Sequence, residues 1–92
     1  MRPKRIDRNQ PEIVKAIRKI PGATVRHTHV IGDGFVDIIV GFKGVNYLLE
    51  IKDPSQPPSA RKLTKDEQKF HNEWTGQKAV IETINDVLKL IL

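Results

Sequence analysis

The chain has no cysteine. That excludes a disulfide framework and a thiolate zinc site, and it fits a reducing compartment. No apolar run is long enough to span a bilayer, so no membrane partner is expected. The first residues, Met1-Arg2-Pro3-Lys4-Arg5, are basic. No apolar stretch follows them, so they do not read as a secretion signal. There are no internal repeats and no low-complexity segment beyond one short proline-rich loop. A cytoplasmic location is the resulting expectation.

What is present is an ordinary globular composition with a basic balance. The 92 residues are 38% hydrophobic and 29% charged, which suits one domain with one modest core. Lys and Arg number 16 against 11 Asp and Glu, a formal charge of +5. The basic residues cluster at Arg2, Lys4, Arg5 and Arg8, at Lys15, Arg18 and Lys19, and at Arg61, Lys62, Lys65 and Lys69. Such clusters suit a phosphate backbone, which binds through counterion release without reading sequence. A solubilising surface is the alternative, since net charge alone says little about partners.

Periodicity and turn chemistry order the chain as α-β-β-β-α-β-α. Residues 1–8 read as a basic arm and 9–92 as a single domain. A helix starts near Gln10, with Pro11 in its first turn, and Pro21-Gly22 ends it. Its Ile13, Ile17 and Ile20 recur at helical spacing and should face the core. Residues 24–31 alternate as a strand, and Gly32-Asp33-Gly34 forms a turn. Phe35 to Phe42 and Val45 to Lys52 are strands joined by a tight hairpin at Lys43-Gly44. Asp53 to Arg61 is an extended proline-rich loop. Thr64-Lys65-Asp66-Glu67 is a capping-box pattern, so a helix should run from there to about Thr75, closed by Gly76, with Phe70 and Trp74 on its core face. Lys78 to Thr83 is a fourth strand, and Asn85 caps a C-terminal helix. The expected fold class is α/β, a small mixed sheet flanked by helices.

The chemistry lies in Asp37, Glu50 and Lys52. Side chains alternate along a strand, so Glu50 and Lys52 point one way while Val45, Tyr47, Leu49 and Ile51 point to the core. If Lys43 and Gly44 are the turn, Phe42 faces Val45 and Asp37 falls opposite Glu50. Like charges opposed across strands cost a few tenths to about 1 kcal/mol. A cation should therefore compensate them, either Lys52 or a bound Mg²⁺. Oxygen ligands with open positions favour Mg²⁺ or Mn²⁺ over zinc. A metal there would activate water toward a phosphodiester, and Lys52 would orient that water and stabilise developing charge. A surface Glu-Lys pair with an unrelated Asp is the competing reading.

The wider context adds a resemblance. Gly34-Phe35-Val36-Asp37, Leu49-Glu50-Ile51-Lys52-Asp53-Pro54, Leu63-Thr64-Lys65-Asp66-Glu67-Gln68 and Phe70-His71 resemble the VRR-NUC branch of the PD-(D/E)XK nucleases. The likeness runs over roughly residues 10–90 and looks like the small stand-alone members of phage or bacterial type. It implies a restriction-endonuclease-like core and a Mg²⁺- or Mn²⁺-dependent DNA nuclease. Asp37 and Glu50 would be metal ligands, with the Ile51 carbonyl a third, and Lys52 the catalytic lysine. Gln68 would match the branch's downstream glutamine, and Glu12 the first-helix acid that supports the metal, often through water. The resemblance also implies a homodimer acting on branched DNA such as four-way junctions. One departure is Val36, where the superfamily commonly has proline before the acid.

Several of these residues carry a plainer reading as well. Glu12 sits where a helix dipole favours any carboxylate, and Gln68 could be an ordinary helix-surface residue. Ser59, Arg61, Lys62, Thr64 and Lys65 would bind DNA phosphates near the second helix's N-terminus, or form a solvated linker. His27 and His29 would share a strand face but lack a third ligand, so they read as surface or interface residues. Val87, Leu88, Leu90, Ile91 and Leu92 make the last helix apolar on more than one side, which fits a buried terminus or a dimer interface. Two rivals to a DNA nuclease remain: a non-catalytic DNA-binding module, and a nuclease with another substrate such as a flap, a single strand or RNA.

Overall fold

The computed structural model describes residues 6–92. Along the chain it has α1 at Gln10–Arg18, β1 at Thr24–His27, β2 at Ile38–Phe42, β3 at Val45–Ile51, α2 at Lys65–Glu73, β4 at Ala79–Ile81 and α3 at Ile84–Ile91. Single 3₁₀ turns lie at His29–Ile31 and Pro58–Arg61. The strands form one mixed sheet in the order β1-β2-β3-β4, antiparallel except for the parallel pair β3 and β4. No helix among the described residues is long and apolar enough to cross a membrane.

The hairpin sets the register of everything near the site. Lys43 and Gly44 take φ values of 51° and 79°, and two consecutive positive φ angles give a two-residue turn whose twist matches the strands. Phe42 therefore pairs with Val45, and counting back, Ile38 pairs with Leu49. One face of the resulting sheet carries Val25, Ile38, Val40, Leu49, Ile51 and Ile81, which cluster with Ile13, Val14 and Ile17 of α1 and Val87 and Ile91 of α3. Ile17, Ile38, Leu49, Ile51 and Val87 are fully buried. Each such side chain contributes about 1.5–3 kcal/mol on leaving water, so this single face supplies most of the stability. The opposite face is free to carry polar groups.

Several local expectations are corrected. The strand from Thr24 stops at His27, and residues 28–31 form a turn closed by the Ile31 amide on the Thr28 carbonyl. Val30 and Ile31 stay exposed, so no burial rewards an extended conformation there. β2 starts at Ile38 rather than Phe35, because Phe35 leaves the sheet to pack on Phe70 and Trp74, with ring centroids 5.2 and 6.2 Å apart. Phe70 and Trp74 thus belong to a satellite cluster outside the main core, and Trp74 remains 40% exposed. It caps α2 at its C-terminus, ahead of Gly76. Val45, at the hairpin tip, is exposed rather than core. The proline-rich loop is not wholly extended, since its last residues make the turn at Pro58–Arg61. Residues 1–5 of the expected basic arm, with Arg2, Lys4 and Arg5, lie outside the described residues.

The cap of the last helix is Thr83, not Asn85. The Thr83 hydroxyl accepts from the Asp86 amide at 3.2 Å, and Asp86 accepts in return from the Thr83 amide at 3.1 Å. Asp86 also accepts from the Glu82 amide at 2.9 Å. That bond first, then the Thr83 amide and hydroxyl, holds its carboxyl below the ordinary 3.8. Its stabilising contribution is therefore present above pH 3.8 and is lost as pH falls through the depressed value. In urea unfolding at pH 7, Thr83→Ala should cost about 1 kcal/mol, and Asn85→Ala less than about 0.5 kcal/mol. Equal losses would contradict this cap.

Candidate active site

The regular pairing of β2 with β3 ends at Ile38 and Leu49. One residue earlier the register slips, so that Asp37 bonds to Leu49 and does not pair directly with Glu50 as the sequence led one to expect. Asp37 is pinned by its backbone. Its amide donates to the Leu49 carbonyl at 3.1 Å, and its carbonyl accepts from the Thr28 amide at 2.8 Å. The Asp37 carboxylate accepts from the Ile51 amide at 2.7 Å. On β3, Glu50 alternates with the core residues Leu49 and Ile51 and so projects from the opposite face. Asp37, Glu50 and Lys52 are all buried, with 3%, 1% and 8% of their surface exposed.

Lys52 joins this face to α2. Its ammonium lies 3.9 Å from a Glu50 oxygen and 2.7 Å from a Glu67 oxygen. Glu67 is the N3 residue of α2, and the same oxygen accepts from the Thr64 amide at 2.8 Å. The Thr64 hydroxyl accepts from the Glu67 amide in return, which completes the capping box expected from the sequence. The first turn of α2 is also braced from outside. Gly34 has φ +80°, and a Cβ there would overlap the Asp66 carbonyl, so only glycine lets the 32–34 loop seat against the helix.

These groups line a cleft of about 650 Å³ that also takes in Asp7, Asp53, Lys62 and Thr64. Asp53 is fastened by Ser55, whose amide and hydroxyl donate to it at 2.9 and 2.7 Å. Those bonds, the hydroxyl's first, hold the Asp53 carboxyl below its ordinary value. Arg8 stands over the same corner, donating to the Ser55 hydroxyl at 2.8 Å with its Nε 3.8 Å from Asp53. The Asn9 side chain ties the ends of β3 and β4 together by donating to the Lys52 and Glu82 carbonyls, both at 3.0 Å. Asp7 reports the field of the cleft. Burial first, and then the Asp37 carboxylate, hold its carboxyl above 3.8, with Asp53 and Glu67 acting the same way and Lys52 opposing.

The expected site residues divide cleanly by position. Asp37, Glu50, Lys52 and the Ile51 backbone come together, and Lys62 and Thr64 border the same cleft. Glu12 does not line it. It is exposed on the first turn of α1, where the helix dipole accounts for it. Gln68 is likewise outside, exposed and donating to Asn72 at 2.8 Å, because the N3 position that faces Lys52 belongs to its neighbour Glu67. Arg61 is held by Glu82 at 3.3 Å, Ser59 is exposed in the 3₁₀ turn, and Lys65 is exposed on the first turn of α2. His27 and His29 do not share a strand face. Their rings meet edge-to-face at 5.7 Å, and His27 Nδ1 lies 3.1 Å from Gln10 Nε2. Among the described residues no group of three or more His, Cys, Asp or Glu side chains could hold a metal ion unaided.

Asp7, Asp53 and Glu67 are the site residues that sequence reasoning missed. Glu67 carried a signal, since N3 of a capping box points back toward the preceding loop. Asp7 carried none, because its place depends on how the segment before α1 folds over the cleft, and Asp53 carried only its position directly after Lys52. No family model, characterised protein or solved structure matches the chain.

Two outcomes test this geometry. Unfolded Asp7 loses its proton near 3.8 while folded Asp7 keeps it to higher pH, so its ionisation opposes folding above that pH. Asp7→Asn should raise Tm at pH 7, with the gain shrinking below pH 3.8; a lower Tm at pH 7 would contradict a carboxyl held up by burial and the neighbouring acids. Gly34→Ala should cost about 1–3 kcal/mol in urea unfolding from strain and overlap. Wild-type stability would contradict the seating of the loop on α2.

Proposed function

We propose that this chain is a Mg²⁺- or Mn²⁺-dependent deoxyribonuclease of the VRR-NUC branch, with a restriction-endonuclease-like core. The observation that carries the reading is the Glu50 carboxylate and Lys52 ammonium 3.9 Å apart on one sheet face, with Asp37 lining the same open acidic cleft. A phosphodiester is repelled by such a cleft unless a cation enters with it. The raised Asp7 carboxyl supports that point, because after burial its main cause is the Asp37 carboxylate, with Asp53 and Glu67 acting the same way.

The donors suit a hard divalent ion. Asp37, Glu50 and the Ile51 carbonyl would hold it, and Mg²⁺ characteristically takes one or two carboxylates and keeps several waters. Bound there, the ion supplies Lewis acidity toward phosphate oxygen and makes water more acidic. Lys52 contributes a fixed positive charge beside the reacting phosphate, where it orients water and offsets the charge that develops in the transition state. Glu50 flanks that ammonium from the strand at 3.9 Å. Lys62 and Thr64 at the cleft, with Lys65 and Arg8 beside it, bind the DNA backbone. Such contacts carry little base information, so the enzyme selects structure rather than sequence.

The preferred substrate is branched DNA, cut by a homodimer. Val80, Leu90 and Leu92 leave an exposed apolar surface, at 46%, 37% and 73% exposure, along β4 and α3. A twofold contact through it would supply the two sites that symmetric cutting of a four-way junction needs. The test uses a labelled four-way junction and a linear duplex, in Mg²⁺, Mn²⁺ or EDTA. Junction cleavage should need the metal and fall about 100-fold or more in Glu50→Ala and Lys52→Ala. Cleavage that survives EDTA, or both substitutions, would contradict the mechanism. Tight binding without cleavage would mark a DNA-binding module, and preference for a ribo-substituted strand an RNA target.

A further inference from the structure

We infer that Glu67 is the positioning residue for Lys52, so that the helix α2 terminus, and not the strand alone, decides where the lysine charge sits. This rests on the nuclease reading and adds to it a second-helix carboxylate acting through the lysine. The geometry is asymmetric. Lys52 Nζ is 2.7 Å from Glu67 but 3.9 Å from Glu50, so the charge-assisted hydrogen bond is made to the helix. Glu67 is 5% exposed and Lys52 8%, which keeps water from competing for that bond.

Glu67 is itself held from three directions. Its Oε1 accepts the Thr64 amide at 2.8 Å, and its own amide donates to the Thr64 hydroxyl at 3.2 Å. Behind it, the Asp66 carbonyl rests against Gly34. A carboxylate that only capped the helix would have no need to face the lysine. One that only neutralised the lysine would have no need of a cap. Here one oxygen serves both donors, so a shift of the first turn of α2 would move the ammonium with it. Positional errors of about 1 Å at a reacting centre can cost 100-fold in rate.

Glu67→Gln separates the two duties. Glutamine is accepted at N3 of a capping box, and it keeps an oxygen for the Thr64 amide, but it removes the charge that orients Lys52. The expected result on a four-way junction in saturating Mg²⁺ is a kcat lower by about 10- to 100-fold. KM for DNA and Mg²⁺ affinity by calorimetry should stay near wild type, while Tm falls because the buried ammonium loses its nearest counter-charge. In nitrogen-15 NMR the Lys52 ammonium signal should shift or broaden. Glu67→Ala, which also loses the cap, should lower Tm further than Glu67→Gln does.

Four outcomes would overturn the inference. Wild-type kcat in Glu67→Gln would leave Glu67 a structural cap. A matching loss of Mg²⁺ affinity would make it a ligand instead. An unchanged Lys52 signal would show that the pair does not hold the ammonium. An inactive wild-type protein would remove the nuclease reading and this role with it, whereas an active wild type with an equally active Glu67→Gln removes this role alone.

Discussion

A buried lysine shared by two glutamates is the interaction on which the site depends. Lys52 stands at the end of the central strand β3, where Glu50 offers a carboxylate from the strand and Glu67 one from α2. Buried ions are costly to desolvate, and removing one partner of such a group typically costs about 3–5 kcal/mol because the other charge is stranded. The arrangement therefore adds little to stability while it is intact and exacts a penalty when it is broken. It fixes geometry: sheet and helix meet at one ammonium.

The fold tolerates this because the two sheet faces are specialised. Between α1 and α3, one face packs the isoleucines, valines and leucines that give the domain its core. The other side of the sheet, relieved of that task, carries the buried Asp37, Glu50 and Lys52 that line the cleft. Asp37 is fastened by main-chain bonds to β3 and to Thr28, and Asn9 anchors the backbone of Lys52. The acids are thus held by backbone geometry and do not depend on mutual attraction. An acidic cleft within a basic chain is the electrostatic pattern expected where a metal and a polyanion are to meet.

Much of this was legible in the sequence, and the failures have physical causes. The positive-φ turn at Lys43-Gly44 and strand alternation sufficed to set the pairing from Phe42 and Val45 back to Ile38 and Leu49, because both are local rules, but not the offset at Asp37, whose amide bonds to Leu49. Thr64 and Glu67 were readable as a capping box for the same reason. Gln68 was misplaced by one residue because helical position, not residue type, decides which side chain faces Lys52. Glu12 was drawn in by the family likeness, yet the chain bends so that Asp7, ahead of the helix, enters the cleft instead. Trp74 and Phe70 had helical spacing that fits a core, but spacing cannot tell the main core from a satellite cluster on Phe35. Thr83 outcompeted Asn85 as a cap because its partner Asp86 stands three residues on, a reciprocal pairing that Asn85 lacks.

The central claim is that Asp37 and Glu50 together make a site for a hard divalent cation. Direct titration of Mn²⁺ into the protein, followed by electron paramagnetic resonance of the free ion, tests it without any substrate. The account predicts saturable binding that Mg²⁺ displaces and that Asp37→Asn and Glu50→Gln each weaken markedly, with folding intact by circular dichroism. Absence of saturable binding, or binding indifferent to both substitutions, would contradict it.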